Sequence, residues 1–422
     1  MISAARKFLD EYHKNLFLLI ANYLLIFYAF FLPISREISN SIFVLILISF
    51  FLINNIKERL CFALGNKVIQ AAILLFLIHL VWLWGTEYYE YAFVKIDDAS
   101  KLLYLIIFAS ILEKRFTYKI ISSYLAAIFL SEIFSYLIFF EIINPINNAT
   151  ASNPVSFLLN HTSYAIALAL ALAGSLVILF SENKNIKYYI LPAILIISIS
   201  INIFIIGSRL GYIIFSLVIF IFIFLSGRKY LFKKIFLGIL LVLVSYIFAY
   251  YNFNTFKNRS DQMVVSKIQL FTNKDFTTSL GIRAGYHYFS LKNIEDYILF
   301  GKGTGDHIRY MIQIISNSTY KEPKPMIDAI SSGAGAGLHS DYLDILIQFG
   351  FFGFFSYCLF LFSIFKYKQS DTTLKKFQLL ILAIIIINGF PQGMLYFTQM
   401  SKIFLLLLST TFLTYDANRE QK

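Results

Sequence analysis

Long apolar runs alternate along the chain with short polar stretches. A membrane-crossing helix needs about 20 mostly apolar residues. Runs of that kind fall near 15–34, 38–54, 68–84, 99–112, 119–143, 158–180, 188–206, 210–226, 235–250, 341–365, 377–395 and 398–415. The pattern predicts an all-α integral membrane protein of about twelve transmembrane helices. One segment breaks the rhythm. The stretch 251–340 runs for about ninety residues without a span, and loops of this length are usually functional. Within it, apolar spacing predicts a helix over 280–300 and a second over Ile308 to Ile315. Gly301-Lys302-Gly303-Thr304-Gly305 reads as a turn, and the glycines at 333–337 read as a flexible hinge. The chain therefore divides into 1–250 with nine spans, a large loop over 251–340, and 341–422 with three more spans and a tail.

Charge orients these spans. With the N-terminus inside, the inner segments hold twenty-one basic residues, among them Arg6, Lys57, Lys114, Lys184, Arg228 and Lys366. The short outer segments hold five: Arg36, Lys95, Lys101, Arg209 and Lys402. Basic residues accumulate on the cytoplasmic side, so both termini are expected there and the large loop outside. A missed span would invert the alternation from that point on, and the alternation holds to the end.

Composition agrees with a membrane class. The chain is 58% hydrophobic and 14% charged, against about 25% charged in soluble domains. Its formal charge of +12 is spent on orientation, and no basic stripe with interleaved aromatics points to nucleic acid. No small-residue cleavage site follows the first apolar run, so it reads as a span rather than a secretory signal. Cys61 lies in an inner loop and Cys358 within a span, which argues against a disulfide between them.

The usual nucleotide and zinc motifs are absent, which leaves polar residues on the outer side. Arg209, in Gly207-Ser208-Arg209, stands between two apolar runs. It is either an interfacial anchor or a fork for phosphate oxygens. Arg283 opens the predicted loop helix, where backbone N–H groups favour an anion; a solvated surface arginine is the bland alternative. His339 precedes the tenth span, and imidazole suits a general base near neutral pH. The alternative is a polar residue ahead of a helix that Ser340 or Asp341 caps. His79 lies in a span and has a hydrogen-bonding role available to it. Asp306-His307 hints at a metal, but no further ligand stands at useful spacing.

Taken together, Gly207-Ser208-Arg209, the stretch from Asn258-Arg259 through Thr278-Ser279-Leu280-Gly281-Ile282-Arg283, and His339-Ser340 followed by Gly350 resemble the O-antigen ligase family. This family lies within a superfamily that also holds O-antigen polymerases and bacterial O-oligosaccharyltransferases. The wording around Arg283 is closest to the ligase branch, while Ser340 stands where many members have Asn. The resemblance implies a GT-C-like glycosyltransferase in the bacterial inner membrane, with its active site facing the periplasm. The donor would be a glycan on undecaprenyl pyrophosphate, and the acceptor a sugar hydroxyl of lipid A core, both drawn from the surrounding membrane lipids. Arg209 and Arg283 would bind the pyrophosphate, and His339 would be catalytic. Transfer would invert the anomeric carbon and need no metal or other cofactor. An O-antigen polymerase would use a second lipid-linked glycan as acceptor, and a lipid-linked glycan transporter would need charges at mid-membrane. The spans read as clean of charge at their centres, with His79 among the few ionisable candidates.

Overall fold

The computed structural model describes residues 16–415 apart from 146–148, 151, 156, 158, 182–188, 228, 321, 332–336 and 397. The terminal segments with Arg6 and Lys422, the basic residues Lys184, Lys187 and Arg228, and most of the glycine hinge lie outside the described residues. The described residues form eighteen α-helices joined by turns, with no strand beyond one isolated bridge between Thr150 and Asn153.

The first seven helices are α1 Leu16–Phe31, α2 Arg36–Phe51, α3 Ile56–Leu64, α4 Lys67–Val81, α5 Tyr89–Ser100, α6 Tyr104–Ile111 and α7 Thr117–Phe139. Next come α8 His161–Leu179, α9 Ile190–Ile205, α10 Arg209–Leu225 and α11 Leu231–Asn252. Among the described residues, five helical stretches are long and apolar enough to cross a membrane: Lys67–Gly85, Lys114–Phe139, His161–Leu179, Leu231–Asn252 and Asp341–Lys366. The pair α2 and α3, bent by 111°, makes a sixth if it counts as one span. The run expected near 99–112 is instead broken by a tight turn at Lys101–Leu103 between α5 and α6.

Burial separates the apolar helices by role. α8 is buried over 83% of its apolar window and forms the centre of the bundle, whereas α11 is buried over only 6%. A helix that is apolar all round and covered by almost no protein must face lipid.

The long loop is helical for most of its length: α12 Asn254–Asn273, α13 Ser279–Lys292, α14 His307–Ser316 and α15 Lys324–Ser331. The helix expected over 280–300 stops at Lys292, and a short 3₁₀ turn at Ile294–Asp296 follows. These helices have their own apolar core, which includes Phe276, Tyr286, Ile308, Met311, Met326 and Ile347. The chain closes with α16 Asp341–Lys366, α17 Thr372–Asn388 and α18 Thr398–Ser409.

α16 is not continuous. Gly350 has φ 59° and ψ −149°, a conformation essentially restricted to glycine. The glycine turn docks into this break. The N–H groups of Lys302 and Gly303 donate to the carbonyls of Ile347 and Gln348 at 2.8 and 3.0 Å, and that of Phe351 donates to Ile298 at 2.7 Å. A Cβ on Gly350 would lie 2.4 Å from the Leu299 carbonyl oxygen, and one on Gly301 would lie 2.2 Å from that of Gln348. Each glycine is needed because the other segment's backbone is in the way. Gly350→Ala is expected to cost about 3 kcal/mol, visible as a lowered thermal midpoint in detergent.

Candidate active site

Three short segments build the outer site. The first is the turn before α10. Ser208 caps the helix by accepting the Gly211 N–H at 3.3 Å, which sets Arg209 as its first residue. Arg209 donates only weakly, to Gln262 at 3.5 Å, and its buried Nε has no partner. Gly207, at φ 64°, brings α12 onto this turn, since a Cβ there would meet Thr255 at 2.8 Å and the Arg259 Nε at 3.5 Å.

The second segment is the start of α13. Thr278 caps it by accepting the Gly281 N–H at 3.0 Å. Arg283 therefore stands one turn inside the helix rather than at its opening. Its guanidinium reaches back to the Ser279 carbonyl and hydroxyl, at 3.0 and 2.7 Å. On its other edge it donates to the Pro391 carbonyl at 2.6 Å and to Gln392 at 3.4 Å. All of these acceptors are neutral. Burial pushes Arg283 below the ordinary arginine value, and the charge of Arg209 pushes the same way.

The third segment leads into α16. His339 has φ 55°, in the left-handed region, and its neighbours hold it there. On one side the Leu338 N–H donates to Asp344 at 2.9 Å. On the other, Ser340 caps α16, and its hydroxyl donates to the Gly389 carbonyl at 3.1 Å. Asp341 accepts the N–H groups of Met394 and Leu395 at 2.8 and 3.2 Å. The segment from Gly389 to Leu395 thus grips the base of His339 and also accepts from Arg283. It joins the two residues, and nothing in its sequence drew attention to it. Behind it, His79 donates to the Leu75 carbonyl at 2.8 Å and accepts the Tyr396 hydroxyl at 2.9 Å, so it is satisfied in the core.

The charges form one neighbourhood. Arg259 acts on Arg209, Arg209 acts on Arg283, and Arg283 acts on His339. His161, at the head of α8, is in reach of Arg259 and Arg283. Among the described residues, none of the three arginines forms an ion pair. Burial lowers the pKa of His339 below its ordinary 6.5, and the Arg283 and Lys95 cations add to this against the opposing pull of Asp344. These influences favour the neutral, proton-accepting form of His339.

Asp306 has a structural role. Asp306 accepts the N–H groups of Glu87 and Tyr88 at 2.8 and 3.0 Å. His307, wholly buried, lies 3.3 Å from Asp344, without the alignment of a hydrogen bond. Among the described residues, no group of three or more His, Cys, Asp and Glu is placed to hold a metal ion.

A cleft of about 540 Å³ lies beside Arg209 and Arg259, and its wall includes the carboxylate Asp261 as well as Gln262, Gln269, Thr278 and Ser279. A larger cavity of about 900 Å³, between Cys61 and Lys366, is walled mainly by apolar groups and does not touch these residues. Guanidiniums without counter-ions attract a multiply charged anion, and a neutral imidazole beside them accepts a proton.

Residues 193–358 match a family model described as O-antigen ligase. The matched stretch contains Arg209, Arg259, Arg283 and His339. No curated protein sequence matches the chain.

Proposed function

Because residues 193–358 match the O-antigen ligase family model, we propose that the chain transfers a glycan en bloc from undecaprenyl pyrophosphate to a sugar hydroxyl of lipid A core. Its apolar helices and its family make it a multi-pass membrane protein that works with lipid-linked glycans. In the proposed arrangement it crosses the bacterial inner membrane about twelve times, with residues 251–340 and the site on the periplasmic side. The single observation that carries the reading is the electrostatic coupling of Arg259 to Arg209, Arg209 to Arg283 and Arg283 to His339, with none of the three arginines in an ion pair among the described residues.

The acceptor hydroxyl oxygen attacks the anomeric carbon as the bond from that carbon to the pyrophosphate oxygen breaks. The hydroxyl proton passes to His339. The lipid pyrophosphate leaves with the bonding pair, and Arg209 and Arg283 stabilise its charge. Attack opposite the leaving group inverts the anomeric carbon. Arginines take the part that a divalent ion plays elsewhere, so transfer is expected to persist in EDTA. Loss in EDTA with recovery on adding a divalent ion would contradict this.

The pH dependence follows from His339. Its neutral form is the base, so kcat/KM is expected to be flat through neutral pH and to fall only as pH drops through a value below 6.5. Arg283→Gln removes a cation that disfavours imidazolium. The His339 pKa then rises, and the acid limb moves to higher pH. A limb that stays put would separate the two residues.

Deleting the gene and restoring it tests the function. Lipopolysaccharide should lose its attached glycan and regain it with the wild-type chain. If single repeats still reach lipid A core but chains no longer grow, the protein is a polymerase.

A further inference from the structure

α12 follows the lipid-facing α11 after a single extended residue, Phe253. A helix running straight on would carry residue 261 about 16 Å along the axis from residue 250. Instead the Tyr250 hydroxyl donates to Asp261 at 3.2 Å, and the Lys257 ammonium lies 5.8 Å from the Tyr250 ring centre. α12 therefore folds across the end of α11 rather than away from it. Its two faces differ. Arg259, Gln262, Ser266 and Gln269 line the cleft. On the other side, Val264, Ile268 and Phe271 form an apolar stripe at helical spacing, exposed by 59%, 56% and 75%. Lys257 and Lys267 are exposed beside that stripe.

We infer that α12 is an interfacial helix, with Val264, Ile268 and Phe271 inserted in the outer-facing leaflet and Lys257 and Lys267 among anionic headgroups. An apolar stripe flanked by lysines is the composition of a helix lying in the membrane plane. The stripe continues the lipid-facing surface of α11, where Phe248 is 55% exposed, so the occupant is the same bilayer. On the function proposed above, this sets the cleft at headgroup depth. A pyrophosphate reaches Arg209 and Arg259 there while its prenyl chain stays in the hydrocarbon.

The placement is testable without any transfer. The full chain, with Cys61→Ser and Cys358→Ser, is given one cysteine by Ile268→Cys, Phe271→Cys or Gln262→Cys and labelled with an environment-sensitive fluorophore. It is then reconstituted into nanodiscs of phosphatidylethanolamine and phosphatidylglycerol. Labels at 268 and 271 are expected to emit to the blue of the label at 262 and to be quenched by brominated acyl chains, while the label at 262 is not. Equal emission and equal quenching at all three positions would overturn the inference. Val264→Cys serves as a second stripe position if one variant misfolds. The readout needs neither donor nor acceptor, so failure of the transfer reaction leaves it untouched, and failure of the quenching leaves the transfer reading standing.

Discussion

His339→Asn is expected to keep the fold and to lose glycan transfer by about 10²–10⁴-fold, the usual contribution of a general base. The choice of asparagine follows from the backbone. His339 has φ 55°, and asparagine is one of the residues that tolerates this region. Its amide cannot take the hydroxyl proton. The anchors on either side, Leu338 to Asp344 and Ser340 to Gly389, involve no atom of the imidazole and remain. The loss should fall on kcat rather than KM, because the base acts in the transition state. An unchanged thermal midpoint with collapsed turnover is the expected pattern. Turnover within a few-fold of wild type would remove His339 from the mechanism.

Removing either arginine is expected to lower kcat/KM by about 10²–10³-fold, the scale for losing one donor to a developing anion. The two differ in what else they do. Arg283 ties α13 to Pro391 and Gln392, so Arg283→Ala should also lower the thermal midpoint. Arg209 makes one long contact, to Gln262, so Arg209→Ala should lose activity with little change in stability. That makes Arg209 the cleaner probe of charge stabilisation. Lysine at 283 restores charge but not the fork, which now spans Ser279, Pro391 and Gln392, and is expected to recover only part of the activity. If Arg209→Ala were fully active, the cleft beside it would not hold the leaving group.

The parts of the fold and site that could be read in the sequence are those written in local pattern. Apolar runs marked α4, α7, α8, α11 and α16, because a span announces itself by length and hydropathy. Arg209, Arg283 and His339 were singled out together by the resemblance of their segments to the O-antigen ligase family, since each taken alone had a structural alternative. Gly350 was visible as a motif glycine. Its reason, the docking of Leu299 to Gly303 into a broken helix, needed the tertiary contact. α12 was not read as one helix, since its apolar residues share their turns with Asn, Arg, Asp, Gln and Ser that face the cleft.

Burial was the least legible property. The spans read as clean of charge at their centres, yet α7 buries Glu132, whose carboxylate oxygens have no hydrogen-bond partner, and outside the expected spans α5 buries Lys95 and Asp98. Lys95 stands 4.4 Å from the centre of the Tyr396 ring. A short polar helix such as α5 gives no sign in sequence that its neighbours will enclose it. The segment from Gly389 to Leu395 was missed for a related reason. It acts through backbone groups, which every sequence offers alike.

The most direct test is transfer by the purified chain in nanodiscs, with undecaprenyl-pyrophosphate glycan as donor and lipid A core as acceptor, and products resolved by mass. Lipid A core is expected to carry the whole glycan, with released undecaprenyl pyrophosphate in equal amount and an inverted anomeric linkage. Donor that returns unchanged, or a glycan lengthened on its own lipid while lipid A core stays bare, would contradict it.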